Sequence, residues 1–230
     1  MKLHADPAAL RPSFTGAQPF PHIAIDGLFD EALLDGLLAD FPSPDAAGLL
    51  RFDTQTEKKV GFFYGTSRLA PRLRAFLDAM NSFETLLFLE ELTGIEGLIP
   101  DPYFGGGGPH QIESGGFLKI HADFNWHPKL KLDRRLNVLV YLNRDWRDEY
   151  GGALELWNRD MTECVASIPP LFNRTVIFAT SEESFHGHPK PLRTPPGVTR
   201  KSMSLYYYTA PRPDAARVAP HDTIFREPAE

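Results

Sequence analysis

The chain has 230 residues, 42% of them hydrophobic, a length and composition that fit one compact domain with an ample core. Its net charge of −6 gives nucleic acid no general electrostatic attraction, so a nucleic-acid substrate is not expected. One cysteine, Cys164, excludes an intramolecular disulfide, and no run of apolar residues is long enough to span a membrane. Met1–Pro7 lacks the apolar core of a signal peptide, which makes the cytoplasm the expected setting.

In chain order, residues 21–25 read as a first strand. Leu33, Leu34, Leu37, Leu38 and Phe41 then recur at helical spacing, with Asp30 as N-cap and Pro42 as stop. A second helix is expected from Ser67 with Leu69, Leu73, Phe76, Leu77 and Met80. A third runs from Ser82 through Leu86, Leu89 and Leu92 to Gly94. Gly105–Gly108 lacks the Lys-Ser/Thr of a phosphate loop and reads as a flexible loop at a site mouth. From about residue 109 the pattern changes to short apolar strands separated by Gly, Pro, Asn and Asp. Residues 136–142 are nearly continuously apolar, as a central strand should be, and 153–157 and 175–178 read as further strands. Helices first and strands afterwards predict a mainly β fold with N-terminal helices, a double-stranded β-helix (a jelly-roll, cupin-like barrel). The expected division is a helical buttress with a leading strand over 1–99, a barrel core over 100–210 and a surface-hugging extension over 211–230.

The chemistry concentrates in His121-Ala122-Asp123, followed some sixty residues later by His186. Two His and one carboxylate are the facial ligand set of a non-haem Fe(II) centre, which leaves half of an octahedron open for a co-substrate and O2. If residues 117–123 are extended, alternation points His121 and Asp123 the same way. Alternation along residues 200–208 likewise places Arg200, Ser202, Ser204 and Tyr206 on one face and Met203, Leu205 and Tyr207 on the other. An inward Arg is costly to bury without an anion. A dicarboxylate such as 2-oxoglutarate would supply one, in a two-pronged contact.

Residues 110–112, 115–118, 121–125, 133–143, 145–146, 151–157, 172–174, 185–187 and 200–202 together resemble the prolyl-4-hydroxylase-like branch of the Fe(II)/2-oxoglutarate-dependent dioxygenases. The resemblance covers roughly residues 100–210. It implies Fe(II), 2-oxoglutarate and O2, with ascorbate a candidate stimulant, and puts the iron ligands on His121, Asp123 and His186. It also implies that Arg200 holds the distal carboxylate, assisted by Tyr141, with Ser202 beside them. Gln111 stands where some relatives carry a Tyr near the metal-chelating end of 2-oxoglutarate. The fourteen-residue step from His186 to Arg200 is longer than in compact members, and its loop is a candidate part of the entrance.

His188 could replace His186 as ligand, but the aromatic-His-Gly pattern favours His186 and leaves His188 beside the metal or the substrate. Asp123 is a carboxylate where related halogenases carry Gly or Ala, which favours hydroxylation. Asn125, Trp126 and His127 are candidates for the substrate pocket. Arg134 and Arg135 are expected to pair with acids or substrate, and with Lys129 and Lys131 they form a small basic patch. The expected reaction is hydroxylation of an unactivated C–H of a prolyl residue, amino acid or related metabolite, with release of succinate and CO2. Its rivals are a desaturase, cyclase or epimerase of natural-product biosynthesis, and a non-catalytic cupin-like metal sensor. The substrate is thus a small molecule or a peptide, and the sequence leaves the oligomeric state open.

Overall fold

A computed structural model describes residues 1–62, 69–212 and 218–229. Among these residues four helices, α1 (Pro7–Thr15), α2 (Glu31–Ala39), α3 (Pro71–Met80) and α4 (Phe83–Thr93), pack on a nearly closed antiparallel barrel. Its strands are β1 (His22–Asp26), β2 (Leu49–Asp53), β3 (Glu57–Phe62), β4 (Ile99–Pro100), β5 (Gly108–Ile112), β6 (Phe117–Ala122) and β7 (Trp126–His127). They continue with β8 (Leu132–Tyr141), β9 (Leu154–Trp157), β10 (Cys164–Ile168), β11 (Arg174–Ala179), β12 (His186–His188), β13 (Arg200–Thr209) and β14 (Ile224–Phe225). The path β1-β11-β8-β13-β5 forms the larger sheet, β6-β12-β9-β10 the smaller, and β3 joins them by pairing with both β5 and β6.

Alternation on the central strands divides the interior in two. Leu136, Val138 and Val140 of β8, Ile177 of β11, and Met203, Leu205 and Tyr207 of β13 face the helices. They meet Leu34 and Leu37 of α2, Leu73, Phe76 and Leu77 of α3, and Leu89 and Leu92 of α4. Each such buried side chain contributes roughly 1.5–3 kcal/mol of transfer free energy. The Tyr207 hydroxyl donates to the Met80 carbonyl at 2.8 Å, tying β13 to the end of α3. The opposite face, with Tyr141, Val176 and Phe178, packs on Leu154 and Leu156 of β9 inside the barrel.

The helix signals of the sequence hold in part. Asp30 is the N-cap residue of α2, although its carboxylate bonds His4 rather than the helix amides. Ser82 caps α4 through the Thr85 amide, and Gly94 ends the helix at a φ of 71°. Ser67 lies outside the described residues, and Leu69 precedes α3, which starts with Pro71 at its first turn. The region before residue 100 is more than a helical buttress. It contributes the β2–β3 hairpin to the barrel, and α1 adds a further helix, capped by Asp6 and carrying Pro12 inside it. The C-terminal segment also joins the sheet, through β14 on β6. Gly105–Gly107 form a pinned turn rather than a loose loop: Asp101 accepts from the Gly105 amide at 2.6 Å, and Tyr206 donates to the Gly106 carbonyl at 3.0 Å. Among the described residues no helix is long and apolar enough to cross a membrane.

Candidate metal centre

β6 delivers His121 at its end with Asp123 two residues on, and the antiparallel β12 places His186 directly opposite His121. One ligand atom from each of the three lies within 4.8 Å of the others. His121 Nε2 is 3.7 Å from Asp123 Oδ1, His186 Nε2 is 3.5 Å from Asp123 Oδ2, and the imidazole centroids are 4.4 Å apart. Both Nδ1 atoms are occupied by carbonyls, His121 by that of Lys119 at 2.9 Å and His186 by that of Ser184 at 2.8 Å. With Nδ1–H donated to a carbonyl, each Nε2 presents a lone pair to the shared space. Burial, then the neighbouring His121, pushes His186 down to about 4, so its ring is neutral at physiological pH. Burial would raise the Asp123 carboxyl, but Arg134, His186 and His121 together hold it well below the usual carboxylate range. Two lone pairs and an ionised carboxylate converging on one point, at separations too long for hydrogen bonds, are the donor set a divalent cation fits.

The carboxylate is fixed from behind by two residues. Asn137 donates to Asp123 Oδ2 at 2.6 Å, and Arg134 Nη2 lies 3.1 Å from the same oxygen. Arg134 also donates to Asn137 Oδ1 through Nε and Nη2, at 3.1 and 2.6 Å, which sets the orientation of the amide. Its guanidinium is enclosed between the rings of Phe124 and Tyr206, at 4.3 and 3.7 Å. Arg134 is therefore buried and paired with an acid, and does not belong to an exposed basic patch. Strict alternation from Asn137 would turn it away. The register shift that pairs Tyr207 with Leu136 but Tyr208 with Arg134 leaves Arg135 as the extra residue and brings Arg134 inward.

A chamber of about 650 Å³, open mouth included, extends from the triad into the barrel. Arg200, Ser202, Ser204 and Tyr206 all line it, as alternation along β13 predicts. Arg200 donates through Nε to the Gly152 carbonyl at 2.7 Å and through Nη2 to the Tyr141 hydroxyl at 3.0 Å. Gly152 has a φ of 73°, and a Cβ there would lie 2.5 Å from Leu192 and 3.0 Å from Arg200, so only glycine lets the turn reach the guanidinium. The long loop after His188 is pinned by Leu192, which exchanges backbone bonds with Gly115 and Gly116, and so closes this end of the barrel.

Not every candidate reaches the chamber. Gln111 turns the other way, donating to the Pro42 carbonyl and accepting from Thr199, because alternation on β5 gives the chamber His110 and Ile112 instead. His127 is buried beside Asp101, at 3.5 Å, with Nδ1 accepting from the Leu130 amide, and serves the β7 turn rather than a pocket. Trp126, its partner in β7, pairs with Asp133. His188 does line the chamber, and Asn125 lines a smaller pocket on the other flank of Asp123, with Arg134, Thr180 and Arg212. The amide of Asn125 is committed to the tail, bonding the Ala219 carbonyl and the His221 amide. That tail brings Phe225 within 5.5 Å of the His121 ring, a contact with no signal in the sequence pattern.

Two predictions arise here. A Cβ on Gly187 would lie 2.8 Å from the carbonyl oxygens of both Leu118 and Lys119. Gly187→Ala should push β12 off β6, lowering stability by ~1–3 kcal/mol and separating His186 from His121; thermal unfolding and metal titration of the variant check both. Burial, with the charge of Lys59, pushes His110 down to about 3. The unfolded chain then binds the extra proton first, so stability contributed by this site is present above the ordinary histidine range and is lost as pH falls from about 6.5 towards 3. His110→Gln should flatten the fall of melting temperature between pH 7 and 5, and an unchanged slope would exclude this origin.

Residues 107–208 match the model of the 2OG-Fe(II) oxygenase superfamily. That matched stretch supports a non-haem iron dioxygenase working with Fe(II), 2-oxoglutarate and O2. The chain is similar in fold to a Pseudomonas putida prolyl-4-hydroxylase, at a TM-score of 0.63 and 18% identity over 89% of this chain and 99% of that one. A Trichoplax adhaerens prolyl hydroxylase, solved with a hypoxia inducible factor peptide fragment, gives a TM-score of 0.60 at 15% identity over 87% and 88%. The epimerase SnoN of nogalamycin biosynthesis gives 0.61 at 14% identity over 98% and 96%. No curated protein matches the chain in sequence.

Proposed function

We propose that His121, Asp123 and His186 hold the iron, that Arg200 with Tyr141 and Ser202 receives the distal carboxylate of 2-oxoglutarate, and that the enzyme hydroxylates an unactivated C–H. The substrate class is a prolyl residue, an amino acid or a related metabolite. The observation that carries this reading is the pair of inward-facing Nε2 atoms around an ionised Asp123, opening onto a chamber that ends at Arg200. When bound, iron and co-substrate supply the oxidative chemistry, with 2-oxoglutarate leaving as succinate and CO2.

The chain's own part is placement. The Lys119 and Ser184 carbonyls hold both imidazoles with Nε2 inward, while Arg134 and Asn137 keep Asp123 ionised and oriented. The smaller pocket beyond Asp123, lined by Asn125, Arg134 and Thr180, is the place for the substrate, because the co-substrate takes the other flank. A carboxylate at position 123 supports hydroxylation over halogenation. A cytoplasmic setting belongs to the same reading, supported by Cys164 being the sole cysteine.

A second reading, a cyclase or epimerase, is supported by the likeness to SnoN and to the carbocyclase SnoK, the latter at a TM-score of 0.60. The two differ in how the substrate is placed, not in the iron site. Incubation with Fe(II), 2-oxoglutarate and cell extract under air, followed by mass spectrometry, tests both. A species gaining ~16 Da, one oxygen atom, supports hydroxylation. Succinate formation with products of unchanged or hydrogen-depleted mass would favour the second reading instead.

A further inference from the structure

Among the described histidines, His188 alone has both ring nitrogens buried without a hydrogen-bond partner, and the residue is 3% exposed. A neutral imidazole carries one donor and one acceptor, and burying both unused is unfavourable unless something arriving later engages them. Its position says what that would be. Alternation on β12 puts His188 on the same face as His186, two residues on, so it lies ~6.6 Å along the strand from the triad at ~3.3 Å per residue. It lines the same chamber as Arg200 and Lys59. A basic wall of this kind is the complement of an anion with acceptor oxygens. Arg200 itself spends Nε on the Gly152 carbonyl and Nη2 on the Tyr141 hydroxyl, so its side-on edge is taken and a carboxylate must approach it end-on. A second donor beside that approach would complete the cradle.

We propose that His188 is that donor: its ring N–H bonds the distal carboxylate anchored by Arg200, so that the chamber selects a 2-oxo diacid over a 2-oxo monoacid. This rests on the assignment of Arg200 made above. His186 and His188 then divide the work of one short strand, the first toward the metal and the second toward the co-substrate. The Gly187 between them lets that strand lie close enough on β6 for both to face inward.

The test is anaerobic titration of 2-oxoglutarate into the Fe(II) protein, followed by the metal-to-ligand charge-transfer band, with 2-oxobutyrate as the probe lacking a distal carboxylate. His188→Leu should weaken 2-oxoglutarate by about tenfold to hundredfold, the range for one hydrogen bond to a charged group. It should leave 2-oxobutyrate and Fe(II) affinity nearly unchanged, and His188→Gln should restore most of the loss. If the Leu variant does not fold, His188→Phe, closer in volume, gives the same comparison. Unchanged 2-oxoglutarate affinity, equal losses for both oxo acids, or a loss of Fe(II) affinity would each overturn the proposal. An Arg200→Ala control separates the two readings. If that variant binds 2-oxoglutarate normally, the anchor is wrong; if it binds weakly while His188→Leu does not, only the role of His188 falls.

Discussion

Asp123→Ala is expected to abolish succinate formation and to reduce Fe(II) affinity by a hundredfold or more. Three protein donors converge within 4.8 Å, and Asp123 is the only one that carries charge. Without it, the two imidazoles face a buried Arg134 whose ion pair, at 3.1 Å, has been removed. Cation repels cation in a site of low dielectric, so the loss exceeds that of one ligand bond. The same geometry says the variant will not be neutral for folding. Arg134 is 2% exposed and its Nη1 is already without a hydrogen-bond partner, so deleting the carboxylate leaves a buried cation less compensated. A destabilisation of up to ~3–5 kcal/mol, the range for breaking a buried pair, is expected in Asp123→Ala. Asp123→Asn, which keeps an acceptor for Asn137 or Arg134, should lose metal with a smaller fall in melting temperature. Metal titration, a succinate assay and calorimetry on both variants check this. Full turnover in Asp123→Ala would remove the triad from the mechanism.

The parts of this site that were legible in the sequence are those governed by strict alternation. The run Arg200, Ser202, Ser204 and Tyr206 sits on strand β13, and Asp123 follows His121 by two residues just past the end of β6, so two-residue spacing put each of these side chains on the chamber. The rest failed for identifiable reasons. Arg134 is brought inward by the irregularity at Arg135, which alternation counts on the wrong parity. Gln111 sits one residue off the inward parity of β5, and aligning it with an upstream residue of relatives gave a position without giving its direction. His127 lies close to the motif in sequence, but its short strand turns it toward Asp101. The β2–β3 hairpin escaped because its alternation is masked by charge: Arg51, Asp53, Glu57, Lys58 and Lys59 crowd two strands of which β2 is an outer one that buries little. The contact of Phe225 with His121 depends on a strand pairing a hundred residues apart in sequence, for which local pattern holds no information.

Arg200→Ala should weaken 2-oxoglutarate binding by about thirty- to several-thousand-fold, with Fe(II) affinity in the absence of co-substrate little changed. The range follows from ~2–5 kcal/mol for truncating one partner of a buried charge pair, at ~1.4 kcal/mol per decade. The structure argues for the upper part of it, because the guanidinium is held before any anion arrives. Gly152 and Tyr141 accept two of its N–H groups, and it rests over the Tyr141 ring at 4.8 Å. The ordering cost is thus already met within the fold, and the contact with the carboxylate is correspondingly strong. Burial raises the Tyr141 phenol above its ordinary pKa even beside Arg200, so the hydroxyl keeps its proton and can donate to the same anion. Tyr141→Phe should therefore cost less than Arg200→Ala but act on the same step. Arg200→Lys should recover only part of the affinity, since an ammonium cannot reproduce the planar fork or use both the Gly152 and Tyr141 oxygens as rests. Lys201 offers no substitute: its Nζ donates to the Thr199 hydroxyl at 2.7 Å, on the other face of β13. An unchanged charge-transfer titration midpoint in Arg200→Ala would move the anchor to Lys59, the other fixed cation lining the chamber.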